Sequence, residues 1–204
     1  MKGWIGLERF KKQLQFLKEI DAMKNILRQT MLVDYSRREN DAEHSWHFAV
    51  TAMILAEYSD NDVDMFRVLK MALVHDLVEV YAGDTFAYDV IGNEDKEARE
   101  QAAADRIFGL LPEDQGHELR SLWEEFDAME THDALYAACI DRLQPFINNY
   151  FTQGHTWRKG KVKPEQVYKR MEPIKHGVPK LWSFIEYVIE DSIKKGYFPD
   201  VHEK

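Results

Sequence analysis

The sequence predicts an all-α fold, a multi-helix bundle that forms one domain over residues 1–204. Apolar residues recur at spacings of three and four along most of the chain, and no segment alternates apolar and polar residues with a period of two. No internal repeat is present. With 204 residues, 45% of them hydrophobic and 31% charged, the chain is long and apolar enough to bury its own core.

The first half of the chain predicts three helices. Apolar residues recur every three or four positions over 7–27, which is typical of an amphipathic helix. A polar connector over 34–41 leads to a second helix that ends at Tyr58. The third helix, over 63–81, is apolar on almost every side and ends at Gly83, so we expect it to be the buried central helix.

The second half predicts four further helices, over 94–110, 112–126, 131–147 and 164–196. Pro112 suits the first turn of its helix, and Thr131 is a good N-cap for the next. Residues 153–163 contain two glycines and no apolar period, which predicts a loop. The last helix is expected to break near 173–179, where two prolines occur.

The charge balance excludes some partners. The formal net charge is −9, and this argues against a nucleic-acid polymer as partner, because such binding depends on Lys and Arg that neutralise phosphates. No stretch approaches 18 uncharged apolar residues, so no membrane partner is expected. Cys139 is the only cysteine and cannot form an internal disulfide, which fits a cytoplasmic protein.

Charged residues at the end of the apolar third helix are the first candidates for chemistry. His75 and Asp76 follow a run of apolar residues, and burial of such a pair requires partners. An isolated pair would most simply be a hydrogen-bonded core contact. Glu79, however, lies four residues after His75 and three after Asp76, so all three side chains can share one face of a continuous helix.

Two further residues complete a candidate metal site. His44 lies near the start of the second helix, and Asp141 interrupts an apolar stretch of the sixth. Each of them alone would be an ordinary surface residue. Together with His75 and Asp76 they offer two imidazoles and two carboxylates, a donor set that suits a divalent transition ion and leaves coordination positions open.

These residues carry a family resemblance. The order of His44, His75-Asp76 and Asp141 resembles the metal signature of the HD-domain superfamily of metal-dependent phosphohydrolases, which are all-helical. The segments 38–45 and 75–84 resemble the branch that contains the deoxynucleoside 5′-monophosphatases, with their Glu-His-Ser, His-Asp-x-x-Glu and Gly-Asp elements in order. The segment 141–145 resembles a subgroup of uncharacterised HD hydrolases in that branch. The resemblance covers about residues 10–190.

The resemblance implies a site and a reaction. It assigns one divalent metal per chain, Mn, Co, Ni, Fe or Zn, to His44, His75, Asp76 and Asp141. It implies that Glu79 orients or activates the attacking water and that Asp84 lies at the reacting phosphate of a nucleoside monophosphate. The deoxynucleotidases bind phosphate through an Arg followed by a Trp. The nearest candidate here is Arg28, which Gln29 follows, and Arg38 is a second candidate.

Three readings of this site stay open at the level of sequence. The first is a one-metal phosphomonoesterase, for which the resemblance favours a homodimer. The second is a two-metal phosphodiesterase or oxygenase that uses His117 or His132 as an additional ligand. The third is a non-catalytic binding protein that keeps the metal for its fold, although ion binding alone would not need Glu79 and Asp84.

Overall fold

The computed structural model describes the backbone of residues 2–199 and the side chains of residues 7–199. The helices are α1 (Lys2–Ile20), α2 (Asp41–Leu55), α3 (Met65–Val74), α4 (Glu79–Ala82), α5 (Lys96–Phe108), α6 (Glu113–Ala128), α7 (His132–Phe151), α8 (His155–Lys159), α9 (Pro164–Met171), α10 (Ile174–Gly177) and α11 (Trp182–Lys194). Two short strands, β1 (Leu27–Met31) and β2 (Arg38–Asn40), lie between α1 and α2. The predicted all-α class is confirmed, with this small sheet as an addition.

Helix α7 lies at the centre of the molecule. Residues 136–141 are all buried, which requires neighbours on every side of the helix. These neighbours are α2, α3 and α6. Thr131 caps α7 as predicted, because its hydroxyl accepts from the backbone N–H of Ala134 at 3.1 Å. The main core lies around this helix and includes Phe48, Met71 and Ile189.

A second apolar cluster lies against α5. It combines side chains of α1, α5 and α6 with those of the turn after α3, and its fully enclosed members include Val78 and Ile107. The two clusters lie on the two sides of α3, which has buried residues such as Val68 but also a 57% exposed Leu73. The prediction of α3 as the buried central helix is therefore wrong, and α7 has that place.

The first predicted helix is too long. It ends at Ile20, and residues 27–31 form β1, which pairs antiparallel with β2. The hairpin turn requires Tyr35 at a φ of 62°. The apolar spacing over 20–31 would also fit a helix. The hydrogen bonds between β1 and β2 decide the conformation instead, and local spacing does not reveal them. Three residues of the predicted polar connector, 38–40, form β2.

Two other predicted boundaries change near the site. The third helix ends at Val74, and residues 75–78 form tight turns before the short α4, so residues 63–81 are not one helix. The predicted loop 153–163 contains the single turn α8, which follows Gly154 in the left-handed conformation. Gly83 ends α4 with a φ of 76°, as expected of a glycine stop. Among the described residues no helix is both long and apolar enough to cross a membrane.

Candidate metal centre

His44 is held rigidly in the first turn of α2. A capping box at the helix start fixes that turn: the Asn40 side chain accepts from the backbone N–H of Glu43 and the Glu43 carboxylate accepts from that of Asn40. The His44 imidazole is fully buried. The local capping motif therefore fixes the backbone from which the His44 side chain extends.

His75 and Asp76 occupy the turn at the end of α3. His75 Nδ1 donates to the carbonyl of Ala72 at 3.0 Å, so its Nε2 is the atom that faces the site. Asp76 Oδ2 lies 3.0 Å from this Nε2 and 3.9 Å from His44 Nε2. Because the backbone leaves the helix here, successive side chains both point towards α2 and α7.

Asp141 brings the third element to the site from α7. Its Oδ1 lies 3.0 Å from His44 Nε2 and 3.6 Å from His75 Nε2. Burial alone would raise the pKa of Asp141, but the two imidazoles that face its carboxylate outweigh this effect and hold the pKa well below its usual range. The four predicted ligands, His44, His75, Asp76 and Asp141, are thus brought together from three parts of the chain.

Gln144 fixes the protonation of His44, a role that the sequence analysis missed. The amide nitrogen of Gln144 donates to Glu39 Oε1 at 2.9 Å, which orients the amide. Its Oε1 therefore faces His44 Nδ1 at 2.9 Å and accepts a hydrogen bond from the Nδ1–H. His44 Nε2 is left with a free lone pair towards the site. The signal was available, since Gln144 lies three residues after Asp141 on α7.

The residues fit a divalent ion. One ligand atom each from His44, His75 and Asp141 lies within 4.8 Å of the others. His75 Nε2 is buried and has no hydrogen-bond partner of acceptable geometry in the part of the chain that the structure describes. Burial alone would lower the pKa of His75, but the charges of Asp76 and Asp141 raise it to about 10, which shows how strongly the cluster favours positive charge.

Arg28 lies beside the cluster on β1. Its Nη1 donates to Asp76 Oδ2 at 2.7 Å and lies 3.5 Å from Asp41 Oδ1, and its Nε lies 3.9 Å from Glu39 Oε2. The guanidinium is thus surrounded by three carboxylates. One of them, Asp76, belongs to the candidate ligands, so Arg28 also limits how that side chain can turn.

Arg38 has a different place. Its guanidinium donates to the backbone carbonyls of Leu27 and Arg28, across the two-stranded sheet. These bonds tie β2 to β1 and support the strand that carries Arg28. Arg38 is absent from the described residues that line the cavity at the site, whereas Arg28 is present.

A second group of carboxylates lies next to Arg28 and consists of Asp41, Glu79 and Asp84, with one oxygen of each within 4.8 Å of the others. Asp41 is fully buried, and neither of its oxygens nor Glu79 Oε2 has a hydrogen-bond partner among the described residues. Burial, followed by the charge of Asp76, raises the pKa of Asp41 to about 7 and that of Glu79 well above its usual range. Burial also raises the pKa of Asp84.

A cavity of about 240 Å³ opens over both groups. Its lining includes the predicted residues Arg28, His75, Asp76, Glu79, Asp84 and Asp141. Aromatic side chains of Phe86, Tyr88 and Trp157 form part of the wall. The cavity therefore combines nitrogen and oxygen donors, neighbouring carboxylates whose pKa values burial raises, and apolar surface for an organic group.

Two other histidines stay outside the site. His117 lies on α6 and His132 at the start of α7, and both side chains are exposed. Neither belongs to a group of potential ligands in the described part of the chain. The structure therefore gives no support to the reading in which either of them holds a second metal.

Comparisons with known proteins agree with this geometry. Residues 20–182 match the family model of the HD domain. A crystal structure of a predicted metal-dependent phosphohydrolase from Magnetospirillum magnetotacticum is 48% identical, with a TM-score of 0.88 over 94% of this chain and 96% of that chain.

Curated relatives include the 5′-deoxynucleotidase HDDC2 of Homo sapiens, 33% identical over 66% of this chain and 65% of that protein. The 5′-deoxynucleotidase YGK1 of Saccharomyces cerevisiae is 25% identical over 94% of this chain and 87% of that protein. The chain thus matches slightly less than two thirds of the human protein. Because the family model extends over most of the sequence, the chain belongs to the HD domain family.

Proposed function

We propose that this chain is a metal-dependent phosphomonoesterase that releases phosphate from (deoxy)nucleoside 5′-monophosphates. The observation that carries the proposal is the convergence of His44, His75 and Asp141 on one point of a cavity, with the carboxylate group of Glu79 and Asp84 beside it. The names of the relatives, 5′-deoxynucleotidase and metal-dependent phosphohydrolase, support the same reaction class.

In this proposal one divalent transition ion per chain, Mn, Co, Ni, Fe or Zn, is held by His44, His75, Asp76 and Asp141. The two carboxylates balance the +2 charge of the ion. The two neutral imidazoles are ligands of intermediate softness, which favours these metals over Mg²⁺. When bound, such an ion supplies Lewis acidity to a phosphoryl oxygen and to water.

Glu79 and Asp84 carry the proton transfers. Glu79 has an unpartnered oxygen and a raised pKa, so it suits the general base that accepts a proton from the attacking water. The water oxygen bonds to phosphorus and the bond to the sugar 5′-oxygen breaks. Asp84, whose pKa burial raises, donates a proton to that leaving oxygen.

Arg28 is proposed to contact the phosphate from the β1 side of the cavity. Arg38, whose guanidinium is bonded to two carbonyls of β1, would act on the substrate through Arg28. Gln29 follows Arg28 and also lines the cavity. An amide can hydrogen-bond a sugar hydroxyl, so we expect the 2′-hydroxyl to be tolerated and both ribo- and deoxynucleotides to be accepted.

Oligomeric state and location complete the proposal. The C-terminal helix α11 buries Ile185 and Ile189 within the molecule and exposes Tyr187 and Ile193. Helix α1 presents an apolar stripe in which Leu7, Phe10, Leu14 and Leu17 are 47% to 57% exposed. A homodimer through this stripe is proposed, and light scattering of a Leu14→Asp variant tests it. One domain over 1–204 and a cytoplasmic location stay predictions.

The test combines metal analysis with turnover. Purified protein is analysed for metal content and assayed for phosphate release from a panel of nucleoside 5′-monophosphates with Mn²⁺ or Co²⁺. We expect about one ion per chain, and loss of both ion and turnover in Asp76→Ala. Asp114→Ala, an exposed carboxylate paired with Arg9, is the matched control and should keep both. A loaded protein that hydrolyses no monophosphate would contradict the proposal.

A further inference from the structure

We infer that Arg142 and Arg170 form the main phosphate-binding wall of the cavity, on the side of Asp141 that faces away from the two imidazoles. This inference rests on the proposed function, because it assigns the binding of that substrate's phosphate. It adds two residues from α7 and α9 to a site that the sequence analysis built from Arg28 and Arg38.

Arg170 reaches the metal centre from α9. Its Nη2 lies 3.8 Å from Asp141 Oδ2, while Asp141 Oδ1 faces His44. Asp141 thus lies between the imidazoles and the Arg170 guanidinium, with one carboxylate oxygen facing each side. Among the described residues this is the only carboxylate within 4.0 Å of Arg170, and at 3.8 Å it is too distant for a hydrogen bond. Arg170 therefore has donors available for a ligand.

Arg142 is held in position next to it. Its guanidinium donates to the carbonyl of Ala138 at 2.7 Å and contacts Met129 Sδ at 3.3 Å. These bonds use two of its five N–H donors. Arg142 and Arg170 line the same two cavities, so two guanidiniums face one shared space in which an anion could contact both.

The charge distribution distinguishes this wall from the opposite one. On the β1 side, Glu39, Asp41 and Asp76 already balance the charge of Arg28, so Arg28 can contact a phosphate dianion but cannot neutralise it alone. On the other side, Asp141, itself a candidate metal ligand, lies within 4.0 Å of Arg170, and no carboxylate of the described residues lies that close to Arg142. A dianion is therefore attracted to Arg142 and Arg170, while the acidic side is suited to water and protons.

The position of the two arginines also leaves space for the rest of the substrate. Both line the inner cavity, and both line a second cavity of about 530 Å³ that continues outward beside Tyr88 and Gln166. A phosphate held at this junction lies next to the metal ligands, and its ester group can extend into the outer cavity. The arrangement therefore fits a phosphomonoester of nucleoside size.

The test measures binding of inorganic phosphate to the Mn²⁺-loaded protein by calorimetry, so that it does not depend on turnover. We expect Arg170→Met and Arg142→Met each to weaken phosphate binding at least tenfold, with metal content unchanged. Arg120→Met is the matched control, because Arg120 pairs with Glu124 and Asp105 on the outside, and it should bind phosphate like the original chain. If Arg142→Met does not fold, Arg142→Lys replaces it. This variant keeps the positive charge but loses the planar guanidinium with its paired N–H donors.

The outcomes separate the two proposals. Phosphate binding that is unchanged in the Arg170 and Arg142 variants would overturn the inference, whatever the activity of the enzyme. Failure of the original loaded chain to bind phosphate would overturn it too. If both variants lose phosphate binding but the original chain hydrolyses no monophosphate, the anion site stands and the proposed function falls. Where hydrolysis is observed, KM should rise in parallel with the phosphate dissociation constant.

Discussion

Arg28 Nη1 and Asp76 Oδ2 lie 2.7 Å apart, although 48 residues separate them in sequence. This ion pair connects the β-hairpin to the turn that carries His75 and Asp76. It is largely enclosed, since the Arg28 side chain is only 15% exposed and that of Asp76 13%. The hairpin is therefore a structural support of the metal centre as well as part of its wall.

Arg28→Met should lower the free energy of unfolding by about 3–5 kcal/mol, because it leaves the carboxylates of Asp76 and Asp41 enclosed without their cation. Urea denaturation of the metal-free protein measures the effect. Arg37→Met is the matched control in the same hairpin: Arg37 pairs with Glu43 at the surface, and such pairs contribute about 0–1 kcal/mol. Equal effects of the two substitutions would contradict the supporting role of Arg28.

Gln144→Leu should reduce affinity for the ion about 10- to 100-fold, because His44 Nδ1 loses the acceptor that keeps its Nε2 lone pair directed at the site. Competition with a chelator of known affinity measures the change. Gln101→Leu, on the exposed surface of α5, should leave the affinity unchanged. An unaltered affinity in Gln144→Leu would mean that the His44 ring is positioned by its packing alone.

Glu79→Gln should lower kcat for phosphate release by about 10²- to 10⁴-fold, the range for a lost general base. The amide is close in size to the carboxyl but cannot accept the proton of water. Metal content should be retained, since Glu79 is absent from the group formed by His44, His75 and Asp141. Glu124→Gln on the surface serves as control. Loss of the ion together with activity would instead assign Glu79 to metal binding.

Gly154→Ala should destabilise the protein by more than about 1 kcal/mol, because the residue has a φ of 70° and an added Cβ would lie 1.9 Å from the carbonyl oxygen of Tyr197. Gly196→Ala separates the two causes: its φ is 69°, but an added Cβ meets no atom within 4 Å. Gly196→Ala should therefore show the cost of backbone strain alone, with a smaller decrease in melting temperature than Gly154→Ala. Similar losses would show that packing against Tyr197 is unimportant.

Much of the fold follows from local sequence. Helical apolar spacing, the Thr131 cap and the Gly83 stop act within a few residues of where they occur, so the all-α class and most helix positions can be predicted without tertiary information. The types of residue at the site are equally local. His75-Asp76 and Asp141 interrupt apolar runs, and that interruption marks them as candidates.

Other features depend on contacts between distant parts of the chain. The helix predicted over 7–27 ends at Ile20, and Leu27 begins β1 because β2 supplies hydrogen bonds that local propensity cannot reveal. The helix expected over 63–81 ends at Val74, and the backbone then turns so that the side chains of His75 and Asp76 both face α2 and α7. A continuous helix would have directed them about 100° apart.

The sequence by itself determined which residue types are available for chemistry and that helices carry most of them, because composition, periodicity and capping are properties of neighbouring residues. Only the tertiary structure decided which polar and charged side chains contact one another. It places Gln144 on His44, encloses Arg28 among carboxylates and brings Arg170 within 3.8 Å of Asp141 Oδ2. The physical reason is that electrostatic and hydrogen-bond energies depend on distance in space, and sequence separation does not encode that distance.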